Sequence, residues 1–353
     1  MLIDAELRNH GSRIFYYSPK HIRSMNDKIP GYLIEKNEFV RAESFAPRVN
    51  GNWTYSTRRL IDQGMGYRDF VEWSEANRIG IYVPLAFSEL VVNKYDAFRV
   101  VRGYRHDIHP DTAPYHQSLE QLQLFMERSN IVFLKPRAGN KGDGILTVKR
   151  EAEQYVVTYY KSGRRKKKTV ASLPRAYRLI TAVTGGTKRY LIQEGIETTT
   201  YQGSVFDLRV IMLHDGTEWS WLHEARISPR GSELSNVSQG GISLKTEDLL
   251  GEVFGKEEVS GRLEVLRSEA FGLAAFLERL HPGELMEFAF DFVLDRDGTP
   301  KLVEINSKPG LIGIGFLKSF LDMTPEDRPQ FESSTYPHTR SLANFLQSKV
   351  VAL

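Results

Sequence analysis

Residues 287–308 read EFAFDFVLDRDGTPKLVEINSK, and this stretch has the pattern of a β-hairpin. Its first half alternates apolar and polar residues, which predicts a strand with its aromatic side in the core and Asp291 on the other side. The pair Asp297-Gly298 is a strong signal for a two-residue turn. The apolar positions of the first strand are Phe288, Phe290, Phe292 and Leu294.

The predicted turn determines which residues face each other across the hairpin. It places Leu294 opposite Lys301 and Asp291 opposite Glu304, and directly paired residues share a face of the sheet. Asn306, two residues beyond Glu304, lies on the same face. Two carboxylates and an amide oxygen suit Mg²⁺, which takes oxygen ligands and leaves positions for water and phosphate. The alternative is a surface hairpin whose polar face meets water.

The composition is that of an ordinary folded protein, with 41% hydrophobic and 26% charged residues. The 353 residues allow two or three packed units. The absence of cysteine excludes disulfides, thiolate metal sites and cysteine nucleophiles. No apolar run is long enough to cross a bilayer, so we expect a cytoplasmic protein that does not enter a membrane. Four histidines have no spacing typical of zinc and are interpreted as surface or hydrogen-bonded side chains, namely His106, His109, His214 and His223.

Positive and negative residues are nearly balanced over the whole chain, but one short run is strongly basic. The net charge of +3 does not by itself predict a nucleic-acid partner. Residues 161–168, KSGRRKKK, lie between two strand-like runs with Tyr159 and Tyr160 beside them. This run allows an interpretation as a nucleic-acid contact through phosphates and stacking. A solvated hairpin tip or a loop that holds an anionic ligand explains it better, so nucleic acid is not predicted as a partner.

Two glycine-containing loops have the composition of phosphate-binding segments. Lys135 ends an apolar strand and is followed by PRAGNKGDGI at 136–145, where glycines allow the backbone to approach phosphate oxygens. A second loop, SNVSQGGISL at 235–244, carries Asn236 and a pair of glycines. In isolation the first loop is better explained as a plain hairpin turn. Its glycines are Gly139, Gly142 and Gly144.

The run YLIQEGIE at 190–197 is an apolar strand with a polar end. Such an end offers backbone groups to the edge of a base, apolar side chains to its ring and a carboxylate to ribose hydroxyls. The alternative is an edge strand that turns at Gly195. The sequence alone leaves both interpretations open.

Two arginines occupy the polar faces of apolar strands. Arg209 lies within VFDLRVIML, and Arg226 ends WSWLHEAR. A buried arginine costs desolvation free energy unless an anion meets it. One of the two could pair with Asp207 or Glu224, but pairing of both in this way is less favoured. At least one arginine is therefore a candidate for binding an anionic ligand.

Taken in order, these segments resemble the ATP-grasp superfamily of carboxylate–amine ligases, which bind ATP between two α+β subdomains. The order is Lys94, LKPRAGNKGDGI, LIQEGIE, FDLRV, ARIS with SNVSQGG, and FDFVLDRDGTPKLVEINSKPG. More narrowly, the pattern is similar to the YheC/YheD branch, named from endospore coat-associated proteins, which also has an element like Pro110-Asp111-Thr112. The resemblance covers residues 90–320 and is specific through the combination of motifs.

The resemblance implies a nucleotide site. Lys94 and Lys135 would hold the phosphates of ATP, the loop at 138–144 would cover them, and Lys135 could also reach N7 of adenine. The end of the strand would line adenine, and Glu194 or Glu197 would bind the ribose. The implied nucleotide-binding residues are Lys94, Lys135, Gly139, Gly142, Gly144, Gln193, Glu194, Gly195, Ile196, Glu197 and Asn236.

The resemblance also implies a metal site and catalytic residues. Arg209 and Arg226 would hold the transferring phosphate or the acceptor carboxylate. Mg²⁺, as two ions that Glu304 bridges, would be bound by Asp291, Glu304 and Asn306, with Mn²⁺ as an alternative ion.

An α+β (mixed α/β) fold is predicted, in which an N-terminal α/β unit precedes two α+β subdomains that sandwich ATP. The predicted boundaries are an N-terminal domain at 1–90, linker helices at 91–130, a central subdomain at 131–196 and a C-terminal subdomain at 197–353.

The implied activity is an ATP-dependent carboxylate–amine ligase that forms an amide or peptide bond through an acylphosphate. Such chemistry needs positioning and charge neutralisation rather than a covalent nucleophile. The partners would be small-molecule or peptide carboxylate and amine substrates, which the sequence does not identify. The alternative is a catalytically silent ATP-binding structural protein of a spore or envelope layer, and the resemblance adds spore association to the expected location. The oligomeric state is not determined by the sequence.

Overall fold

The structure is a computed structural model that describes residues 15–17, 28–35, 38–44, 49–50, 80–81, 85–137, 144–161, 164–185, 189–231 and 242–307. Three predicted nucleotide-binding residues, Gly139, Gly142 and Asn236, lie outside these ranges. Gly144, the last glycine of the predicted phosphate loop, is described and has a φ of 75°, a conformation that favours glycine. Within the described ranges, no helix combines the length and the apolar character that crossing a membrane requires.

Short strands make up the described part of the N-terminal region. An antiparallel sheet has the order β1 (Tyr16–Tyr17), β2 (Ile29–Glu35) and β3 (Glu38–Ser44). A parallel pair joins β4 (Val49–Asn50) to β5 (Gly80–Ile81). None of the candidate site residues belongs to these strands.

Two consecutive helices, α1 (Leu85–Val92) and α2 (Lys94–Tyr104), lead into the rest of the chain. Asn93 separates them and caps α2, because its side chain accepts a backbone N–H of the first turn. Lys94 is therefore the first residue of α2, and its backbone N–H donates to the carbonyl of Arg137 at 3.1 Å. These two bonds position the Lys94 side chain.

A six-stranded antiparallel sheet has the order β10-β9-β8-β7-β11-β6. The helices α3 (Leu119–Arg128) and α4 (Leu173–Thr184) share its core, which includes Leu122, Leu134 and Ile180. As predicted, Ser118 caps α3 through the backbone N–H of the third residue that follows it. The strands are β6 (Thr112–Pro114), β7 (Ile131–Pro136), β8 (Leu146–Glu151), β9 (Gln154–Lys161), β10 (Arg164–Val170) and β11 (Tyr190–Glu194).

The second large sheet has the order β15-β14-β13-β16-β17, with β12 paired to β13. Its strands are β12 (Thr200–Tyr201), β13 (Ser204–His214), β14 (Trp219–Ile227), β15 (Ile242–Leu244), β16 (Glu287–Leu294) and β17 (Pro300–Asn306). The helices α5 (Thr246–Phe254) and α6 (Val259–Leu280) cover one face. Phe288, Phe290 and Phe292 are fully buried against them, as their alternation predicts. The predicted α+β fold class is confirmed.

The loop of the β16–β17 hairpin differs from the prediction. A backbone hydrogen bond of 3.0 Å joins the ends of the segment 295–299, and Gly298 has a φ of 79°. This geometry is a three-residue loop with a left-handed glycine, not a two-residue turn. The longer loop shifts the pairing by one residue, so Leu294 faces Pro300. The prediction that Leu294 faces Lys301 was wrong.

A β-bulge restores the predicted register before the polar residues are reached. Phe292 faces Leu302 whereas Asp291 faces Glu304, so Val303 is the extra residue on β17. The predicted pairing of Asp291 with Glu304 is therefore confirmed, although the turn from which it was derived is different. The longer loop and the bulge each shift the pairing by one residue, and the two shifts cancel at Asp291.

Candidate functional site

A network of ion pairs covers the polar face of the second sheet. Arg209 donates to both oxygens of Asp291 at 2.9 Å, from Nε to Oδ1 and from Nη2 to Oδ2. Arg226 donates in the same way to Asp207, at 2.6 and 2.7 Å, and its Nη2 lies 3.0 Å from Oδ2 of Asp291. Asn306 donates its amide to that oxygen at 3.1 Å. Asp291 is thus held by two arginines and an asparagine.

Strand register explains why these side chains meet. Asp207 faces Arg226 across β13 and β14, and Arg209 faces Asp291 across β13 and β16. Alternate residues of a strand point to opposite faces, so Asp207 and Arg209 share the polar face. The residues between and beside them, Phe206, Leu208 and Val210, are buried in the core.

One of the arginine pairings allowed by the sequence is present. Arg226 has the Asp207 partner, whereas Arg209 pairs with Asp291. Glu224, the other acidic candidate, accepts a hydrogen bond from Ser243 at 2.6 Å. The buried guanidinium of Arg226 and the partly buried one of Arg209 therefore each have a carboxylate that offsets their desolvation.

Burial and charge act in opposite directions on Asp291. Burial by itself raises the pKa of its carboxyl group, but Arg226 and Arg209 outweigh that effect and hold the pKa well below its usual range. Burial likewise lowers the pKa of Arg226, and Asp291 and Asp207 outweigh it, so this pKa is raised. Both groups therefore remain charged at neutral pH.

A second group of charged residues lies where α2, β7 and β17 meet. The ammonium of Lys94 forms an ion pair with Glu304. Lys94, Lys135 and Glu304 line a cavity of about 60 Å³ that Thr112 and Gln193 also border. Burial, assisted by the charge of Lys94, lowers the pKa of Lys135 to about 8, and Glu304 opposes this shift.

The lowered pKa predicts that Lys135 becomes a nucleophile at a lower pH than an ordinary lysine. Its neutral amine forms as the pH rises through about 8, whereas an ordinary lysine titrates near ~10.4. We expect acetylation of Lys135 by acetic anhydride, followed by mass spectrometry, to accelerate with a midpoint near that lower pH.

Two variants test the cause of this shift, because they should move the pKa of Lys135 in opposite directions. Lys94→Met removes a neighbouring positive charge and should raise the pKa of Lys135. Glu304→Gln removes a negative charge and should lower it further. An unchanged midpoint in both variants would contradict the electrostatic contact among these three residues.

A larger cavity of about 470 Å³ lies beside the end of β11. It is bordered by residues 194–197, by the turn at 295–297 and by the chain between α2 and β6. Its volume is within the range of about 300 to 1,000 Å³ typical of ligand pockets. Glu194 and Glu197 both line it, and Glu197 pairs with Arg296 at 3.0 Å. Burial, together with Asp111, raises the pKa of Glu194.

The buried side chain of Gln193 forms a hydrogen bond to another residue of the protein. Its amide donates to Oγ1 of Thr112 at 2.8 Å, and the two residues face each other across β11 and β6. The Pro110-Asp111-Thr112 element of the resemblance thus borders the strand predicted to bind adenine. The structure assigns the Gln193 side chain to holding that strand in place.

Backbone bonds hold the segment that follows β11. The N–H of Glu194 donates to the carbonyl of Asp111 at 2.9 Å, and the N–H of Gly195 donates to the carbonyl of Ile131 at 2.7 Å. Sequence reasoning treated all of these backbone groups as available to a base. Among the backbone N–H groups of residues 194–196, only that of Ile196 donates no hydrogen bond to any described residue.

Gly195 allows this close contact, because it has no side chain. A Cβ at Gly195 would lie 2.0 Å from Cγ2 and 2.5 Å from the carbonyl oxygen of Ile131. We expect Gly195→Ala to lower the free energy of unfolding by about 1 to 3 kcal/mol, measured by chemical denaturation. The matched change Gly261→Ala in α6 meets nothing within 4 Å and should raise stability by about 0.5 to 1 kcal/mol. Equal stability of the two variants would refute the close contact.

His109 is a hydrogen-bonded histidine, as the sequence interpretation allowed, but its position at the candidate site was not predicted. It borders both cavities, its Nδ1 lies 2.8 Å from the carbonyl oxygen of Pro110, and its ring contacts Phe98 at a centroid distance of 4.9 Å. Burial lowers its pKa to about 4, so the ring is neutral at physiological pH. Its position directly before the Pro110-Asp111-Thr112 element was the available signal.

The oxygen-bearing side chains predicted to bind a metal have the chemistry that a hard cation prefers. Asp291, Glu304 and Asn306 come together on neighbouring strands as predicted, with two carboxylates and one amide. Within the described ranges, no group of three His, Cys, Asp or Glu side chains is placed to hold a metal, so the amide of Asn306 would complete this set. Because donors already occupy Asp291, a cation there would compete with the arginines.

Comparison with known proteins adds sequence relatives and a structural likeness. A family model described as YheC/D-like ATP-grasp matches residues 85–314. The endospore coat-associated proteins YheC and YheD of Bacillus subtilis (strain 168) are 25% identical over 217 residues and 23% identical over 312 residues. These alignments cover 60% and 85% of this chain but only 56% and 65% of the relatives, so the chain spans less than two thirds of their length.

The likeness to a solved structure concerns the fold. A RiPP-associated ATP-grasp ligase from Chryseobacterium gregarium, in complex with ADP and a leader and core peptide, is 11% identical with a TM-score of 0.52. The match covers 99% of this chain and 92% of that chain.

Proposed function

Because the chain belongs to the YheC/D-like ATP-grasp family, we propose that it is an ATP-dependent carboxylate–amine ligase that forms an amide or peptide bond. The observation that carries the proposal is the polar sheet face that holds Arg209, Arg226, Asp291 and Glu304. Glu304 also lines a cavity together with Lys94 and Lys135. The ATP-grasp fold implies ATP binding, and the residues present suit a nucleotide with its metal. The proposal includes the division into subdomains at 131–196 and 197–353. The first range contains the six-stranded sheet except for its strand β6, and the second range contains the other large sheet.

We assign the two cavities to the two ends of ATP. The larger one offers Glu194 and Glu197 to ribose hydroxyls and the backbone of Ile196 to adenine. The smaller one offers the ammonium groups of Lys94 and Lys135 to phosphates. At about 60 Å³ it is smaller than a ligand pocket, so binding requires the ion pair between Lys94 and Glu304 to open.

The ion pairs of the site can exchange partners when the nucleotide binds. Arg209 and Arg226 would turn from carboxylates to the transferring phosphate or the acceptor carboxylate. Asp291, Glu304 and Asn306 would then hold Mg²⁺, which supplies charge neutralisation for phosphate oxygens when it is bound. In the free protein each of these arginines already pairs with a carboxylate. Nucleotide binding would therefore replace one set of ion pairs by another and would leave no buried charge unpaired.

The reaction would proceed in two steps. A substrate carboxylate oxygen attacks the γ-phosphorus of ATP, which forms an acylphosphate and releases ADP. An amine then attacks the acyl carbon and phosphate leaves as the amide bond forms, with one proton lost from the amine. The cationic side chains stabilise the charge on the transferring phosphoryl group and on the leaving phosphate.

A turnover assay tests the proposal directly. The 353-residue chain with ATP and Mg²⁺ is incubated with pools of amino acids and peptides. Peptides are included because the structurally similar RiPP-associated ligase is bound to a leader and core peptide. Phosphate release that depends on both a carboxylate and an amine, with an amide product in mass spectra, is the expected result. ATP binding by calorimetry without any such release would contradict ligase activity.

A further inference from the structure

The edge strand β10 carries charge that the candidate site does not use. Within the part of the chain that the structure describes, β10 pairs with β9 alone and ends the central sheet. Its sequence, RRKKKTV, begins with consecutive basic residues, and the side chains of 165–169 are exposed. One backbone edge of β10 therefore faces away from the sheet, beside a row of cations.

Among the described residues, no neighbour neutralises the charge of the three consecutive lysines of β10. Lys166, Lys167 and Lys168 face Tyr159, Thr158 and Val157 on β9, and none of these partners is acidic. In the described ranges, no carboxylate forms an ion pair with any of the three lysines. Adjacent like charges repel one another, so an anionic partner would stabilise this strand.

The outward backbone edge of β10 favours an acidic peptide over nucleic acid as the anionic partner. A single lysine is enough to keep an edge strand from pairing with other chains, and this strand has far more charge than that purpose requires. Nucleic acid would use the cations but not the outward N–H and C=O groups. An extended peptide uses both, because strand addition pairs main-chain groups while its carboxylates meet the lysines.

The basic strand also lies close to the segment that follows β14. Nη1 of Arg165 lies 3.7 Å from the position of a Cβ on Gly231, four residues after β14 ends. β14 is the strand that carries Arg226. A peptide aligned along β10 would therefore have one end near the chain that leaves the candidate site.

We propose that β10 binds an extended acidic peptide segment of another protein by β-strand addition. The seven-residue strand accommodates a peptide of similar length, with glutamate or aspartate side chains against Lys166, Lys167 and Lys168. Docking needs neither ATP nor metal, so it does not depend on the proposed ligase activity.

Fluorescence anisotropy with a labelled octapeptide of glutamate, which presents carboxylates on both faces of an extended strand, tests the proposal in the absence of ATP. The full chain should bind it, and Lys167→Gln/Lys168→Gln should weaken binding roughly five-fold. The matched variant Arg175→Gln/Arg178→Gln removes the same charge from exposed positions of α4 and should leave affinity unchanged. Equal weakening by the two variants, or no binding by the full chain, overturns the proposal.

Two further probes separate strand addition from general attraction of anions. The same peptide with every backbone nitrogen methylated keeps its charge but cannot donate main-chain hydrogen bonds to a strand, so it should lose most of its affinity. An oligodeoxythymidine of equal charge should bind more weakly than the unmodified peptide. Equal binding of the methylated peptide, or tighter binding of the oligonucleotide, overturns strand addition.

Discussion

The substitution Asp291→Asn is expected to lower the free energy of unfolding by about 3 to 5 kcal/mol. Asp291 is only 5% exposed, and it is contacted by Arg209, Arg226 and Asn306. Asparagine keeps the shape but not the charge, so Arg209 loses its carboxylate and Arg226 retains only Asp207. Chemical denaturation measures the loss. Reduced activity of this variant would therefore not by itself indicate a lost metal ligand.

The control for this prediction lies in the same hairpin. Asp297 is exposed in the loop, and Asp297→Asn should change stability by less than about 0.5 kcal/mol. If Asp291→Asn and Asp297→Asn lower the free energy of unfolding equally, the ion pairs of Asp291 with the two arginines do not stabilise the fold as expected.

The pH dependence of stability gives a second measurement on Asp291. The arginines hold its folded pKa below the ordinary value of 3.8, so its contribution is fully present above that value. The contribution is lost as the pH falls below about 4 and towards the folded pKa. A denaturation series should show this loss in the natural protein and a smaller one in Asp291→Asn. Parallel curves would contradict the assignment.

The substitution Glu304→Gln is expected to reduce ATP-dependent phosphate release by at least ~100-fold while the fold remains intact. Glu304 has a side-chain exposure of 38%, and its one ion pair with a described residue is to Lys94, so stability should change by less than ~1 kcal/mol. Its carboxylate is a proposed metal ligand, and glutamine removes that charge with almost no change in shape. Phosphate release and thermal unfolding measure the two effects on the same sample.

A matched change on the surface controls for the loss of one negative charge. Glu264 is 68% exposed on α6, and Glu264→Gln should retain turnover. Turnover in Glu304→Gln equal to that of Glu264→Gln would refute the proposed role of Glu304.

The fold class and the faces of the strands were predictable, because both follow from local alternation. Alternation along β16 places Phe290 and Phe292 in the core and Asp291 on the opposite face, whatever the turn is. The turn was not predictable in this way, since a three-residue loop and a bulge at Val303 depend on how the two strands pack. The pairing of Asp291 with Glu304 was confirmed because the two departures cancel.

The partners in the site were only partly predictable, because they come from distant parts of the chain. The sequence allowed Asp207 as a partner of Arg226 but did not show that Asp291 would be shared by two arginines. It also did not show that Gln193 would use its amide on Thr112. Those contacts depend on register across several strands, which local patterns do not specify.

By itself, the sequence determined the residue types of the site and the faces on which they lie, because side-chain direction alternates along a strand. Tertiary structure alone decided which charges are paired and which backbone groups remain available. Lys94 meets Glu304 because a capped helix start is held against a strand edge, and burial then lowers the pKa of the neighbouring Lys135. The physical reason is that Coulombic attraction and desolvation depend on distances in space and on exclusion of water, not on spacing along the chain.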